Sequence, residues 1–239
     1  MTKKRALMTI LLAFLASGMA CGQQQRQFDL GRDFSPVKNP AGVWQYGYSA
    51  TSSLDPAEFR LDEYSNQAVP VAFWHPEHTD QPGPGYYPYV AGNTADTTSY
   101  GSSKGWAVRA DEIAMEASNA GQYSLVRFVA PKSGTYSISA KFAGIHFGLS
   151  TTDVHVLDNA TDLFTADIEG YGGDPAFHAI VGASPTANYE GQVTLKRGDV
   201  LTFAVGYGRN KTNYGDTTGL MVHITLLTKA EQKAHAQGH

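Results

Sequence analysis

Short runs of alternating apolar and polar residues, separated by turn-forming clusters, constrain the fold of this chain more than any other feature. In residues 135–142 the apolar positions are Tyr136, Ile138, Ala140 and Phe142. Two later runs repeat the pattern, with apolar positions Leu201, Phe203, Val205 and Tyr207, and Leu220, Val222, Ile224 and Leu226. Successive side chains of a strand point to opposite faces, so these runs predict strands with one buried face.

The whole series of such runs predicts an all-β protein. Strands are expected over residues 43–49, 69–74, 124–130, 135–142, 154–157, 192–195, 200–207 and 220–227. The Pro- and Gly-containing clusters at residues 131–134 and 196–199 are expected to be tight turns that join neighbouring antiparallel strands. Only residues 107–117 are interpreted as helical, on a weak apolar pattern. The predicted fold is a single antiparallel jelly-roll β-sandwich over residues 28–228.

Both ends of the chain are expected to lie outside this domain. The N-terminus has the three-part pattern of a signal peptide: a basic start, an apolar stretch over residues 6–16 and a small-residue exit. We therefore expect residues 1–20 to be removed on export and residues 21–27 to be a polar linker. The apolar stretch is shorter than the roughly 20 residues that a membrane-spanning helix needs. Residues 229–239 have good helix formers but almost no apolar face, and a frayed or disordered polar tail is predicted.

The only cysteine, Cys21, directly follows the expected cleavage site. Bacterial lipoproteins carry the cysteine that receives lipid at this position, and this N-terminus resembles theirs. Those proteins usually have leucine three residues earlier, where this chain has Gly18. Two alternatives follow: an outer-surface or periplasmic lipoprotein anchored through Cys21, or a secreted protein cleaved after Ala20. Membrane contact is expected only if Cys21 carries a lipid. In either case a single cysteine cannot form a disulfide within the fold.

The charge balance argues against a nucleic-acid partner. Residues 1–20 hold three of the 18 basic residues and none of the 22 acidic ones, so the remaining chain has a formal net charge of −7. A polyanion such as DNA or RNA is attracted by basic surfaces, which this composition does not favour.

Several strand-and-turn segments together resemble a known kind of domain. They are residues 39–48 (NPAGVWQYGY), 123–131 (YSLVRFVAP), 152–157 (TDVHVL), 203–208 (FAVGYG) and 216–220 (DTTGL). They resemble a β-sandwich domain of exported proteins of environmental bacteria, which often carry C-terminal sorting tails. Such domains are similar to jelly-roll carbohydrate-binding modules. The resemblance covers most of residues 28–227 and implies the fold more than the function. This chain departs from the sorted members because it ends in a polar tail without a hydrophobic anchor.

The segment richest in aromatic residues and histidine runs from residue 73 to residue 89. Its prolines and glycines predict a loop, and loops at the end of a β-sandwich commonly hold ligands. Flat rings suit the apolar face of a pyranose, so the expected carbohydrate contacts are Trp74, His75, Tyr86, Tyr87 and Tyr89. The alternative is that these rings cover the end of the core.

A second polar feature lies on one predicted strand. Alternation places Asp153 and His155 on the same face, opposite Val154 and Val156. The pair is expected to supplement the carbohydrate contacts. A hydrolase or lyase could instead use it as a general base with its orienting partner, joined by Lys141, and a plain surface hydrogen bond is the third interpretation.

Two segments contain possible metal ligands. Residues 210–219 are rich in side-chain oxygens, and Asn210, Asn213 and Asp216 are candidate ligands for a structural calcium ion, unless these residues serve only a long turn. His75 and His78 could hold a transition metal with a third ligand from His146 or His155, or be two surface histidines.

The function that these features favour is an exported, non-catalytic protein that binds a polysaccharide or other glycan. The sequence has no Gly-x-Ser-x-Gly elbow, no His-Glu-x-x-His motif and no phosphate loop. Two alternatives stay open: a polysaccharide hydrolase or lyase on the same fold, and a cell-surface structural or assembly protein.

Overall fold

The structure is a computed structural model, and it describes residues 26–76, 86–101 and 104–237. The strands there are β1 (Gln27–Asp29), β2 (Trp44–Ser49), β3 (Phe59–Leu61), β4 (Tyr64–Ser65), β5 (Val71–His75), β6 (Tyr89–Asn93), β7 (Ser99–Tyr100), β8 (Ala107–Val108), β9 (Ile113–Glu116), β10 (Ser124–Val129), β11 (Gly134–Gly144), β12 (Ser150–Asp158), β13 (Thr161–Tyr171), β14 (Val181–Ser184), β15 (Thr186–Leu195), β16 (Val200–Val205) and β17 (Thr218–Leu226). A 3-10 turn spans Pro56–Glu58, and helix α1 spans Lys229–Gln237.

Two antiparallel sheets make up the body of the protein. Within the described residues, sheet A has eight strands in the order β15-β11-β17-β9-β6-β5-β4, with β1 also paired to β17. Sheet B has seven, in the order β14-β13-β12-β16-β10-β2-β3. β9 pairs with β17 at residues 218–220 and β1 at residues 223–225, so both strands share one edge of β17. The prediction of an all-β antiparallel sandwich is confirmed.

The main core lies between the two sheets and is built around aromatic rings. Phe128 makes edge-on contacts with Phe28, Trp44 and Tyr136, at centroid distances of 5.1, 5.4 and 5.7 Å. Almost all the apolar positions predicted by alternation are buried here. The exceptions are Leu226, which packs partly buried against the core, and Tyr207, which lies beyond the end of β16 and is half-buried. The period of two therefore identified the buried faces of three strands correctly.

A second, smaller apolar cluster covers the outer side of sheet A. It contains Val71 and Phe73 of β5, Tyr89 and Ala91 of β6, Val108 of β8, and also Trp106, Ala114, Ala143 and Ile145. Along β5, Trp74 belongs to the main core while its neighbours Phe73 and Val71 belong to this outer cluster. Sheet A is thus apolar on both faces where residues 94–112 cross it, which makes these strands nearly continuous apolar runs.

Both predicted tight turns connect different sheets, and the expectation that they join neighbouring strands is wrong. Residues 131–134 run from β10 in sheet B to β11 in sheet A, and residues 196–199 run from β15 in sheet A to β16 in sheet B. The two turns bond to each other, since Arg197 N donates to Ser133 Oγ at 3.0 Å and Gly198 N to the Ala130 carbonyl at 2.9 Å. They close one end of the sandwich.

Residues 107–117 are not helical. They contain β8 and β9, and in β9 Ile113 and Met115 face the main core. Two acidic residues of this segment, Glu112 and Glu116, are nevertheless buried. The Glu112 carboxylate accepts hydrogen bonds from the Arg109 backbone and guanidinium, both at 3.1 Å.

The tail predicted to be frayed or disordered contains helix α1. Its first turn is a capping box, because Glu231 N bonds to Thr228 Oγ1 while the Glu231 carboxylate accepts from Thr228 N. Arg26 reaches the same carboxylate, which ties the helix to the start of β1. No helix within the described part of the chain is long and apolar enough to cross a membrane.

Candidate functional site

An open groove lies at the edge of the outer cluster on sheet A. Its volume is about 570 Å³, which is within the range of small-molecule sites. Three segments that are distant in sequence line it: residues 66–73 from the β4–β5 hairpin, residues 98–101 with Lys104 from the crossing segment, and Phe177. Tyr86 completes the lining. Buried Val71 and Phe73 give the groove an apolar base that is continuous with the packed cluster.

Two tyrosine rings of the groove are partly open to solvent. Tyr86 is 42% exposed and Tyr100 is 46% exposed, while Phe73 beneath them is buried. Tyr100 rests edge-on against Phe177 at a centroid distance of 4.8 Å. Tyr86 packs against His75 at 4.4 Å and Phe73 at 5.9 Å. Both rings are therefore held from behind by other rings, which leaves apolar surface for a ligand at little cost in side-chain entropy.

The structure places Trp74 and Tyr89 in the interior, and neither offers a ring face to a ligand. Trp74 lies in the main core, where its Nε1 donates to the Ser35 carbonyl at 2.7 Å. Tyr89 is on β6, and its hydroxyl donates to Glu116 Oε2 at 2.8 Å. The expectation of sugar stacking at these two positions is corrected, because strand pairing directs Trp74 inward and a covering layer buries Tyr89. For these rings the alternative of core packing holds.

His75 and Tyr87 lie beside the groove without lining it. The His75 ring is stacked between Tyr64 at 6.1 Å and Tyr86 at 4.4 Å, and burial lowers its pKa. Tyr87 is half-buried 5.6 Å from Tyr89, and burial together with the charge of Glu116 raises the pKa of its phenol to about 12. His75 therefore acts as a neutral support for Tyr86. Of the predicted aromatic contacts, Tyr86 is the residue that reaches the groove.

Asp153 and His155 form a pair on the opposite side of the protein. They project from β12 in sheet B, where Val154 and Val156 fill the core as the alternation predicted. His155 Nε2 lies 2.8 Å from Asp153 Oδ2, and His155 Nδ1 lies 3.1 Å from Thr165 Oγ1. The groove is on the outer face of sheet A, so this pair cannot supplement it. Lys141 is on β11 of sheet A and does not join the pair either.

The Asp153 carboxylate also fastens the loop after β16. Oδ1 accepts from Gly208 N at 2.7 Å, and Gly206 packs so closely on the carboxylate that an added Cβ would lie 2.3 Å from Oδ1. Burial raises the pKa of Asp153, but hydrogen bonds from His155, the Gly208 N–H and Tyr123 outweigh it, so its pKa lies below the ordinary value. These contacts assign the pair a stabilising role.

Replacing Asp153 with alanine is expected to lower the free energy of unfolding by about 1–3 kcal/mol at pH 7, because Gly208 N–H and His155 lose a charged acceptor. Folding depresses the pKa of Asp153, so this contribution exists above the unfolded pKa and fades as pH falls through the folded one. Urea unfolding at pH 7 and pH 3 measures both. Asp167→Ala is the matched control, since Asp167 is paired to Arg209 at the surface and should cost under about 1 kcal/mol. Equal losses in both variants would contradict the role assigned to Asp153.

The predicted calcium ligands are only partly brought together. Asp216 is buried, accepts from Thr151 N at 2.7 Å and lies 3.4 Å from Asn210 Nδ2. Asn213 turns away and donates to the Ala117 carbonyl at 3.0 Å. Calcium binding by this loop stays a prediction. Among the described residues, no group of three or more His, Cys, Asp or Glu side chains could hold a metal ion. Cys21 and His78 lie outside the described residues.

Comparison with known proteins identifies no family for this chain. No family model matches the sequence, and no curated protein matches it. Solved structures match weakly. A CBM51 from Clostridium perfringens GH95 in complex with methyl-galactose aligns over 55% of this chain and 81% of its own, with 11% identity and a TM-score of 0.32. A family 35 carbohydrate binding module from an environmental isolate aligns over 48% and 73%, with 16% identity and a TM-score of 0.29.

A protein of another kind matches about as well. Pika GITRL aligns over 44% of this chain and 78% of its own, with 16% identity and a TM-score of 0.26. At TM-scores this low, none of these similarities decides between functions.

Most of the groove was not predicted from the sequence. Four of its lining residues lie outside the predicted aromatic segment, residues 73–89, in the sequence: Asn66, Tyr100, Lys104 and Phe177. One signal was available: Tyr100 is a single aromatic residue within a run of threonines, serines and glycine from residue 97 to residue 103. An aromatic ring in such a polar segment has few local partners to bury it, which favours an exposed position.

Proposed function

We propose that the protein is an exported, non-catalytic carbohydrate-binding protein and that the groove on sheet A is its binding site. The observation that carries the proposal is the pair of partly exposed tyrosine rings, Tyr86 and Tyr100, each backed by a further ring in a groove of about 570 Å³. A pyranose has an apolar face that packs on such rings and hydroxyls that bond to polar groups at the edges. Asn66, Thr98 and Ser99 supply polar groups in the lining.

The non-catalytic part of the proposal rests on the Asp153–His155 pair. A hydrolase or lyase that used this pair on sheet B would need His155 to take or give a substrate proton. Both ring nitrogens are already within hydrogen-bond distance of protein oxygens, Asp153 Oδ2 and Thr165 Oγ1. The pair is thus arranged to hold structure together.

Export is proposed because residues 1–20 have the pattern of a signal peptide. Lipid attachment at Cys21 is the alternative to ordinary cleavage after Ala20. The mass of the mature N-terminus distinguishes the two.

The binding site is tested by alanine replacement of the exposed rings. Tyr86→Ala and Tyr100→Ala should each weaken retention on a polysaccharide by roughly tenfold, because each removes one stacking surface of about 1–1.5 kcal/mol. Affinity electrophoresis on a panel of immobilised polysaccharides measures the change. Tyr214→Ala is the matched control, since Tyr214 is 90% exposed but lies outside the groove.

The melting temperature of each variant is measured in parallel. The proposal fails if the unaltered protein binds no member of the panel. It also fails if Tyr214→Ala weakens retention as strongly as the groove variants do.

A further inference from the structure

The polar side chains of the groove differ in which hydrogen-bonding groups they leave available. Asn66 Oδ1 accepts from Phe73 N at 2.9 Å and Ala68 N at 3.2 Å. These two backbone donors fix the orientation of the amide, because the other orientation would set N–H groups against them. The oxygen is thereby committed to the hairpin turn. Asn66 offers the groove its NH₂ group, which only donates.

The two aliphatic hydroxyls of the groove, on Thr98 and Ser99, direct their protons into the protein. Thr98 Oγ1 donates to Asp174 Oδ2 at 2.5 Å, and Ser99 Oγ donates to the Thr97 carbonyl at 3.3 Å. They therefore contribute no free donor. The phenols of Tyr86 and Tyr100 can donate or accept, whereas the Asn66 NH₂ group and the Lys104 ammonium can only donate.

Lys104 is the charged residue of the groove. Among the described residues that line it, there is no aspartate or glutamate. Lys104 is exposed, and no carboxylate in the described part of the chain forms an ion pair with it. The protein as a whole is acidic, with 22 acidic residues against 18 basic ones, so the charge of Lys104 has the opposite sign to the net charge of the protein. A positive charge in the same groove as an amide donor and two rings forms a distinct chemical environment.

We infer that the groove selects acidic glycans, with Lys104 and the Asn66 amide binding an anionic group of a sugar that packs on Tyr86 and Tyr100. This inference rests on the proposed carbohydrate binding and names its ligand class. Carboxylates and sulfates accept hydrogen bonds only, so both match a pair of donors, and charge-assisted bonds to them are stronger than neutral ones. A neutral sugar hydroxyl would gain less from the ammonium.

The inference is tested with polysaccharides in matched pairs. Three uronate-containing polysaccharides (polygalacturonate, alginate and a glucuronate-bearing xylan) are each compared with their carboxyl-reduced form. A sulfated galactan is compared with its desulfated form, which separates carboxylate from sulfate recognition. Binding of the purified protein is measured by affinity electrophoresis and calorimetry at low and at 0.5 M salt, since added salt weakens exposed charge contacts. At least one acidic polymer should bind about tenfold more tightly than its neutral partner.

Two variants examine the donors separately. Lys104→Gln should remove most of the preference for the acidic polymer. Asn66→Asp keeps both acceptor bonds to the hairpin turn but places a negative charge in the groove, so it should abolish binding of the acidic polymer without loss of melting temperature. Lys196→Gln removes the same charge from an exposed turn at the end of the sandwich and should change nothing.

The outcomes distinguish this inference from the function it rests on. Equal binding of acidic and neutral partners that still depends on Tyr100 would overturn the acidic preference and leave carbohydrate binding in place. A preference that survives in both Lys104→Gln and Asn66→Asp would also overturn it. Failure of the unaltered protein to bind any polymer would reject the proposed function itself.

Discussion

Replacing Trp74 with alanine will lower the free energy of unfolding by roughly 3–5 kcal/mol. The side chain is 6% exposed and lies in the main core, stacked on Tyr46 at a centroid distance of 6.4 Å. Its removal leaves a cavity between the sheets and takes the Nε1 donor from the Ser35 carbonyl. Domains of this size are stable by about 5–15 kcal/mol, so the loss should be visible as a large drop in melting temperature.

Chemical denaturation of the variant and of two controls measures this effect. Trp74→Phe keeps a ring in the core but loses the hydrogen bond, and it should cost about 1–2 kcal/mol. His75→Ala alters the next residue of the same strand, which is half-buried on the outer face, and should cost less than Trp74→Ala. Below its melting temperature, Trp74→Ala should still bind polysaccharide, because Trp74 does not line the groove. An unchanged melting temperature with abolished binding would reverse this assignment.

Trp74 also shows why the aromatic site was only partly predictable. The residue types around residue 74 indicate rings in abundance, but they do not say which ring faces inward. That depends on β5 continuing to His75 and on its pairing with β6, whose residue Tyr89 was assigned to a loop. Once both strands exist, alternation sends Trp74 to the core and Phe73 and His75 outward. A shift of one residue in this pairing would exchange the two faces, so the register of β5 decides between packing and binding.

Strands with one polar face were the easiest to predict. β11 and β17 alternate because one side packs in the core and the other is more open to solvent. β16 has the same sequence pattern, although Thr202 and Ala204 on its outer face are buried too. β9 was missed because its outward Glu116 is buried under Tyr89 and Thr217, so its polarity does not indicate exposure. β13 was missed because the register against β12 shifts between Val156 and Leu157, and the shift interrupts the period of two.

Long-range placement could not be derived from local patterns. A tight turn has the same kind of composition whether it returns within a sheet or crosses to the other one. The crossings at residues 131–134 and 196–199 could therefore not be predicted from their residues. The groove has the same property, since it joins the β4–β5 hairpin to Tyr100 and Phe177 through tertiary packing. The pair Asp153 and His155 was predicted correctly as a local contact. Its distance from the groove could be known only from the sheet order.

Glu116 is expected to make the stability of the protein depend on pH, because it is a buried carboxyl without a salt bridge among the described residues. It is 3% exposed, and its Oε2 accepts from the Tyr89 hydroxyl at 2.8 Å and from Thr217 Oγ1 at 2.5 Å. Burial raises its pKa from 4.5 to about 8, against the two hydrogen bonds and with help from the charge of Asp216. Burial likewise raises the pKa of Asp216 from 3.8 to about 6.

The sign of the pH effect follows from these values. Both groups have a higher pKa in the folded chain than in the unfolded one, so folding favours their protonated forms. Their stabilising contribution is complete below about pH 4 and is lost as pH rises, through about 6 for Asp216 and about 8 for Glu116. We expect the melting temperature of the protein to fall between pH 5 and pH 9.

Glu116→Gln isolates the larger of the two contributions. Glutamine keeps a carbonyl oxygen for Tyr89 and Thr217 but never ionises, so the variant should lose much of the pH dependence above pH 6. At pH 9 it should be more stable than the unaltered protein by up to about 5 kcal/mol, given about 1.4 kcal/mol for each unit between the folded pKa of about 8 and the ordinary value of 4.5. At pH 5 the two should agree within about 1 kcal/mol, because Glu116 is protonated in the folded protein.

Denaturant unfolding of the protein, of Glu116→Gln and of the surface control Glu63→Gln across pH 5–9 tests this expectation. Glu63 is exposed, and its replacement should shift stability by no more than about 0.5 kcal/mol. Parallel curves for the protein and Glu116→Gln would show that the buried carboxyl does not drive the decline. A curve that flattens only above pH 6 would assign the remaining slope to Asp216, which Asp216→Asn should then remove, since asparagine can still accept from Thr151. The two acids lie beneath the loops at one end of sheet A, so alkaline loosening should appear there first, in the hydrogen exchange of residues 213–218.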